Sequence, residues 1–177
     1  MRAYIHNFDI KLTLFVQQWR GLEGIMTIIT ILGHPIVTMG IGLFVVLIGG
    51  LRANLRLVYA GFAVFATLGL GTLLKVSLRR DRPLTEYVNN MMYTSFSFPS
   101  GHTVGSTVAY GLLAYLAWHL LPHPWGVVVA ILLGLFIMVI GMSRIYLGAH
   151  FPSDVIAGWV VGLLGLAVII FIIKPVV

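Results

Sequence analysis

Cysteine is absent from the 177 residues, which excludes disulfides and any chemistry that needs a thiolate. Charge is scarce as well. Asp, Glu, Lys and Arg together make up 9% of the chain, where a soluble domain carries about a quarter. No internal repeat or low-complexity tract stands out, and no basic run is interleaved with aromatic residues. The net charge of +6 therefore argues for an anionic substrate or anionic lipid, and against nucleic acid. The N-terminus also lacks the charged start, apolar core and small-residue cleavage site of a removable signal, so insertion is expected to be directed by internal spans.

What the chain does have is apolar surface. Hydrophobic residues reach 59% and the mean hydropathy is +1.02. The eleven basic and five acidic residues all avoid four windows, 24–51, 57–74, 103–142 and 155–173. A helix needs ~20 apolar residues to cross the hydrocarbon, so the third window holds two spans. Spans are expected at roughly 25–49, 56–78, 102–121, 126–142 and 155–173, with Pro35 kinking the first. Trp118 and Trp125 suit an aromatic belt. Ahead of the spans, Phe8, Leu12, Phe15, Trp19 and Leu22 recur at helical spacing opposite Lys11, Gln18 and Arg20. That pattern fits a helix lying in the membrane interface, and equally an amphipathic cover packed on the bundle. The expected fold is all-α and integral to the membrane: about five transmembrane helices over 24–177, plus an N-terminal interfacial amphipathic helix over 1–23.

Five spans fix which connections share a side. The polar stretches 79–99 and 143–154 and the N-terminal helix fall on one membrane face, which brings three clusters together. They are "KVSLRRDRP" at 75–83, "PSGH" at 99–102 and "SRIYLGAHFPSD" at 143–154. Phosphoryl transfer requires charge spread over three equatorial oxygens to be neutralised, mainly by positioning and electrostatics. Lys75, Arg82 and Arg144 can supply that charge, the arginines with bidentate geometry. A helix opening at Ser100 and Gly101 aims unpaired N–H groups and its dipole at an anion, with His102 in its first turn.

His150 and Asp154 are four residues apart. They share a face if the segment is helical; if a helix begins near Pro152, Asp154 lies in its first turn. A carboxylate bonded to one ring nitrogen sets the tautomer and leaves the other nitrogen as the nucleophile. Two histidines and an aspartate could in principle ligate a metal, but the adjacent cations would repel one. Arg79 and Arg80 read as interfacial anchors, His34 as a kink or packing feature, and His6, His119 and His123 as interface residues. A lone His102 or His150 would be structural more often than catalytic. Convergence of three polar clusters at membrane depth changes that, because such groups are costly and usually functional.

Together the clusters resemble the three-part signature of the type 2 phosphatidic acid phosphatase family, which is related to the vanadium haloperoxidases. Lys75 with Arg82-Pro83, Pro99-Ser100-Gly101-His102, and Ser143-Arg144 with His150 and Asp154 match it in order and spacing. Each fragment alone is weak; the ordered set is not. The resemblance covers about 55–177 and implies these roles. His150 is the nucleophile of a phosphohistidine intermediate, Asp154 orients it and His102 protonates the leaving group. Lys75, Arg82, Ser100, Gly101 and Arg144 bind the phosphoryl oxygens, and no metal or other cofactor is needed.

Membrane members of the family commonly have six spans, the first of them ahead of an "FD" stretch like Phe8-Asp9, so one span is expected to be missing here. The expected activity is hydrolysis of a lipid phosphate or diphosphate, undecaprenyl diphosphate ranked narrowly before phosphatidylglycerol phosphate. Transfer to another acceptor is the rival within the same chemistry, and an anion transporter with a basic vestibule the rival outside it. Membrane lipids are the expected surroundings, and no nucleic acid is expected. Charge counting places eight basic residues on the site face against three on the other, which by the positive-inside rule puts the site in the cytoplasm. Resemblance to bacterial relatives implies instead a plasma (inner) membrane with the site facing outward.

Overall fold

The computed structural model describes residues 2–19, 21–91 and 95–173. Arg20 and Lys174, used in the charge count, lie outside the described residues. Among the described residues eight helices follow in order: α1 (Arg2–Gln17), α2 (Glu23–Leu32), α3 (Pro35–Leu51), α4 (Leu55–Leu78), α5 (Glu86–Asn89), α6 (Gly101–Leu120), α7 (Trp125–Tyr146) and α8 (Pro152–Ile173).

Pro35 does interrupt the first span. Helix α2 ends at Leu32 with Gly33 as its cap, and His34 caps α3 by accepting a hydrogen bond at Nδ1 from the Ile36 N–H, with Pro35 at the first helical position. Proline is suited there because its missing N–H has no intrahelical partner to lose. Asn54 caps α4 in the same manner through Leu57 N–H. Four units, Glu23–Leu51 across the α2–α3 break, α4, α7 and α8, are long and apolar enough to cross a membrane. Helix α6 is of similar length, but Thr103, Ser106 and Thr107 crowd its first half and lower its hydropathy. It can carry them because it runs through the middle, packed on α3, α4, α7 and α8. Thr103 to Leu112 are buried without a break, so no face of that stretch meets lipid.

The main core lies where α6 meets α3, α4 and α8, around Val45, Val64, Val108, Leu112 and Ile169. Lipid takes the other side of the outer helices, where Phe44, Phe62, Leu132, Leu164 and Phe171 are exposed. Apolar side chains gain little by leaving lipid for a neighbouring helix, so the helices associate through close packing and small residues. Gly162 of α8 is such a point: a Cβ there would run into the Thr107 side chain and the Val104 carbonyl of α6.

Two expectations need correction. Helix α7 continues through Tyr146, so Ser143 and Arg144 belong to its last turn and not to a polar interruption that begins at 143. Helix α1 ends at Gln17, short of Trp19 and Leu22, and Gly21 at φ +85° turns the chain into α2. Its bundle-facing seam is Asp9, Leu12 and Val16, packed on α7 and α8, while Phe8 and Phe15 face away. The apolar stripe is thus divided: Phe8, Phe15 and Trp19 are exposed, while Leu12 and Leu22 pack against the bundle.

Gly162→Leu should wedge α8 from α6, a strain of ~1–3 kcal/mol by analogy with overpacked cores. Its thermal midpoint in detergent should fall by several degrees. Gly134→Leu, at an exposed position with open space around it, should leave the midpoint unchanged.

Candidate active site

Three chain segments meet at one end of the bundle, and each is aimed by a local device. The first is the turn after α7. Gly148 sits at φ +69°, a left-handed conformation that glycine adopts without strain, and the N–H groups of Ala149 and His150 both return to the Arg144 carbonyl. The turn drops His150 into the bundle with 2% of its side chain exposed. Helix α8 then begins at Pro152, so of the two geometries open from spacing the second holds: Asp154 stands in the first turn, where its carboxylate accepts the Phe151 N–H at 2.9 Å.

The second segment follows α4, which ends when Arg79 takes a left-handed conformation (φ +46°). The chain then runs extended past Arg80 and Arg82, and returns through 95–100 beside it. Lys75 holds this return: its ammonium donates to the carbonyls of Phe96, Ser97 and Pro99 at 2.7, 3.3 and 2.9 Å. Those three acceptors match the three protons of an ammonium. Lys75 thus clamps the loop that precedes the third segment, the start of α6. Ser100 occupies the cap of α6, fully buried, with its N–H on the Asp154 carbonyl at 3.0 Å and its hydroxyl accepting from Thr103. Gly101 has open space where a Cβ would stand. The first N–H groups of a helix lack intrahelical acceptors, so this end of α6 is a ready anion cradle.

His150 is the centre of the arrangement. Its Nε2 lies 3.3 Å from Arg82 Nη1. A guanidinium can only donate, so Nε2 is the acceptor and the ring proton is on Nδ1. Nδ1 faces the Ser97 hydroxyl at 3.2 Å and an Asp154 oxygen at 3.5 Å, while the Ser97 hydroxyl itself donates to that same Asp154 oxygen in a short hydrogen bond. The carboxylate therefore steers the imidazole largely through Ser97. Burial pushes the His150 pKa down to about 3; the bond with Asp154 opposes this, and the charges of Arg144 and Arg82 reinforce it. At neutral pH the contact with Asp154 is a hydrogen bond to a neutral ring, not an ion pair. Burial and then the charge of Arg144 also lower the pKa of Arg82, though a guanidinium stays charged.

Arg144 completes the cationic wall. It is 1% exposed, donates from Nη1 to the Thr30 hydroxyl and to Tyr87 Oη, and leaves Nε buried without a partner. A buried donor without an acceptor is costly, and an anion oxygen is the natural partner. His102 stands in the first turn of α6, its ring edge-on to His34 with 5.4 Å between centroids. His34 is thus both a helix cap and a neighbour of His102.

Sequence reasoning missed several members. Arg80 is not an interfacial anchor: it donates to Asp154 at 2.8 Å, Asp9 at 2.6 Å and Ser153 at 2.6 Å, and lies 4.4 Å over the Phe151 ring. Arg79 is exposed, which suits the anchor reading. Ser97, Thr30 and Ser95, which accepts from Arg82 at its carbonyl (2.7 Å) and its hydroxyl (3.2 Å), were not anticipated, as hydroxyls are too common for single positions to stand out. Asp9 had a usable signal, a carboxylate on the same stripe as Leu12 and Val16 in a chain with five acidic residues.

Known proteins share this framework. The family model of the PAP2 superfamily matches residues 56–175. Phosphatidylglycerophosphatase B of Bacillus subtilis is 33% identical over 157 residues, covering 85% of this chain and 74% of that protein. Undecaprenyl-diphosphatase BcrC of the same species is 27% identical over 149 residues, covering 81% and 70%. Among solved structures, a transmembrane PAP2-type phosphatidylglycerolphosphate phosphatase from Bacillus subtilis superposes with a TM-score of 0.76 at 26% identity, covering 98% of this chain and 88% of that one. Aquifex aeolicus LpxE shares the fold with a TM-score of 0.70 at 24% identity, covering 92% and 94%. A neutral histidine between two arginines and a helix N-terminus, carried on this helical frame and matched over 120 residues, leads to one conclusion: the chain belongs to the PAP2 superfamily, as a phosphatase embedded in the membrane.

Proposed function

We propose that this enzyme hydrolyses a lipid phosphate or diphosphate through a phosphohistidine at His150, with undecaprenyl diphosphate and phosphatidylglycerol phosphate as the leading substrates. The observation that carries the mechanism is His150 Nε2, unprotonated, buried and 3.3 Å from Arg82. Substrate phosphorus takes up the Nε2 lone pair while the bond to the leaving oxygen breaks, and His102 gives that oxygen its proton. Nδ1 keeps its proton throughout, held by Ser97 and Asp154, which stabilise the positive charge that the ring gains. Water then attacks phosphorus, His102 takes the water's proton, the P–N bond breaks and inorganic phosphate leaves.

Arg82, the free Nε of Arg144, the Ser100 hydroxyl and the α6 N-terminus at Gly101 bind the phosphoryl oxygens. Lys75 lends its charge from behind while holding the loop at 96–99. A cavity of about 490 Å³ lies among Pro35, Met39, Phe65, Leu68 and Val104 and reaches Lys75 and Gly101, an apolar setting beside a polar site that suits a lipid substrate. The names of the relatives supply the two leading substrates. Residues 1–23 serve as an interfacial cover and 24–177 as the catalytic bundle, in a bacterial plasma membrane with the site facing outward.

Phosphate release from purified protein over a panel of lipid phosphates and diphosphates, with and without EDTA, tests substrate, reaction and metal independence together. His150→Ala should lose at least about 10³-fold in kcat, the scale seen when a nucleophile is removed. Quenching in the steady state should trap an acid-labile phosphoenzyme in the parent and none in the variant. Release at the parent rate from His150→Ala would sink the mechanism.

Protonation offers a second check. His150 should keep neutral-imidazole nitrogen shifts in histidine-labelled protein from pH 7.5 down to pH ~5, against an ordinary value near 6.5. The unfolded chain takes up this proton at its ordinary value and the folded chain only near 3. The group therefore favours unfolding as pH falls from 6.5 towards 3, and thermal stability in detergent should decline across that window.

Sidedness can be read directly, since the chain has no cysteine of its own. Asn90→Cys, at an exposed position of the site face, should react with an impermeant thiol reagent in intact cells. Labelling only after lysis would reverse the outward assignment.

A further inference from the structure

Asp9 is the most unexpected residue in the molecule. It sits on α1, outside the matched family region, yet its side chain is completely buried and its charge is fully used. Oδ1 accepts the Ser153 N–H at 2.9 Å; Oδ2 accepts the Ser153 hydroxyl at 2.8 Å and Arg80 Nη2 at 2.6 Å. Two of those donors belong to the first turn of α8, where the helix dipole favours an anion. The same guanidinium reaches Asp154 through Nη1 at 2.8 Å, so one cation is shared by two fully buried carboxylates. The Arg80 carbonyl also accepts the Ser97 N–H at 2.7 Å, and Ser97 is the hydroxyl between Asp154 and His150. Arg80 thus touches both arms of the support beneath the nucleophile.

We propose that Asp9 is a positioning residue of the active site, reaching Asp154 through Arg80, so that the seating of α1 sets the charge and geometry on which His150 depends. The proposal rests on the phosphohistidine reading above. Asp9 holds one half of Arg80's fork and takes up part of its charge, which leaves Asp154 anionic enough to stabilise the imidazole as it becomes positive. If Asp9 were neutral, the whole guanidinium charge would fall on Asp154, and the carboxylate would support Ser97 and His150 less. If Arg80 were neutral, two carboxylates would share a buried site without a cation, which is worse. Removing both charges should therefore be milder than removing Arg80 alone. The outer face of α1, with Tyr4, Phe8 and Phe15 exposed, is left for the membrane interface, so the helix is held by lipid on one side and by Asp9 on the other.

The test uses the full chain in detergent–lipid micelles, with a short-chain lipid phosphate as substrate and His150→Ala run alongside. Asp9→Asn should lower kcat by about 10- to 100-fold, the loss expected from a misplaced catalytic group. KM should stay within twofold of the parent and the thermal midpoint within a few degrees. The His150 Nδ1 proton resonance should move, although Asp9 makes no contact with that ring. Arg80→Gln should lose more, and Asp9→Asn combined with Arg80→Gln should recover kcat severalfold relative to Arg80→Gln alone. Full kcat in Asp9→Asn, a loss that only tracks the folded fraction, or a double variant no better than Arg80→Gln would each overturn the proposal. If Asp9→Asn cannot be purified folded, Asp9→Glu decides: it keeps the charge but displaces it by a methylene, and should show a smaller kcat loss at unchanged KM. Full activity there also overturns it. An active His150→Ala would instead condemn the reading of the site, whereas an inactive His150→Ala with an unaffected Asp9→Asn would condemn only the role of Asp9.

Discussion

Keeping Asp154 ionised without any exposure to solvent is the constraint on which the site and much of the surrounding fold depend. A carboxylate in that position is unfavourable by several kcal/mol unless donors surround it. Here they come from four parts of the chain: the Phe151 N–H at the start of α8, the Ser97 hydroxyl from the return loop, the Arg80 guanidinium from the end of α4 and the ring of His150. Each donor needs its own support. Ser97 is placed by the Arg80 carbonyl, its loop is clamped by Lys75, and Arg80 is held by Asp9 and Phe151. Polar groups that look like a scatter of phosphate ligands are in large part a scaffold for one carboxylate.

The same constraint separates two kinds of cation. Lys75 and Arg80 face inward and have every near partner they need. Arg82 is held by Ser95 and the Ala149 carbonyl and also meets His150 Nε2, while Arg144 keeps a buried Nε without a partner. Burial, reinforced by the charges of Arg144 and Arg82, keeps His150 neutral, and on the proposed mechanism the same charges receive the phosphoryl group. Donors fixed in advance at such a point are suited to a developing negative charge. Helix α6 contributes from the other side. Enclosure by its neighbours lets it carry hydroxyls through the bundle and present its N-terminus to the same point.

Much of this could be read from residue order alone. The spans, the break at Pro35 and the shared face of the two polar stretches follow from where charge is absent and how often the chain crosses. The eight expected site residues converge because those rules place their segments together. What could not be read was who pairs with whom. Lys75 and Arg82 lie in one motif, carry the same charge and both bind carbonyls, yet only Arg82 also reaches the ring of His150. Arg79 and Arg80 are neighbours, yet a left-handed residue at 79 sends one outward and the other into the site. On α1, periodicity found a true amphipathic stripe but could not say which side meets lipid and which meets the bundle, because both are apolar surroundings.

The sequence by itself determined the class of the molecule, the order of its long apolar helices and the polar clusters gathered at one end. These depend on local composition and spacing, which act along the chain. Tertiary structure alone decided that Ser97 stands between His150 and Asp154, that Arg80 is shared by Asp154 and Asp9, and that Arg144 keeps a free donor. Such assignments are contests among groups of like type for a few buried partners. They are settled by distances of a few ångströms between residues 53 to 144 positions apart, which no local pattern records.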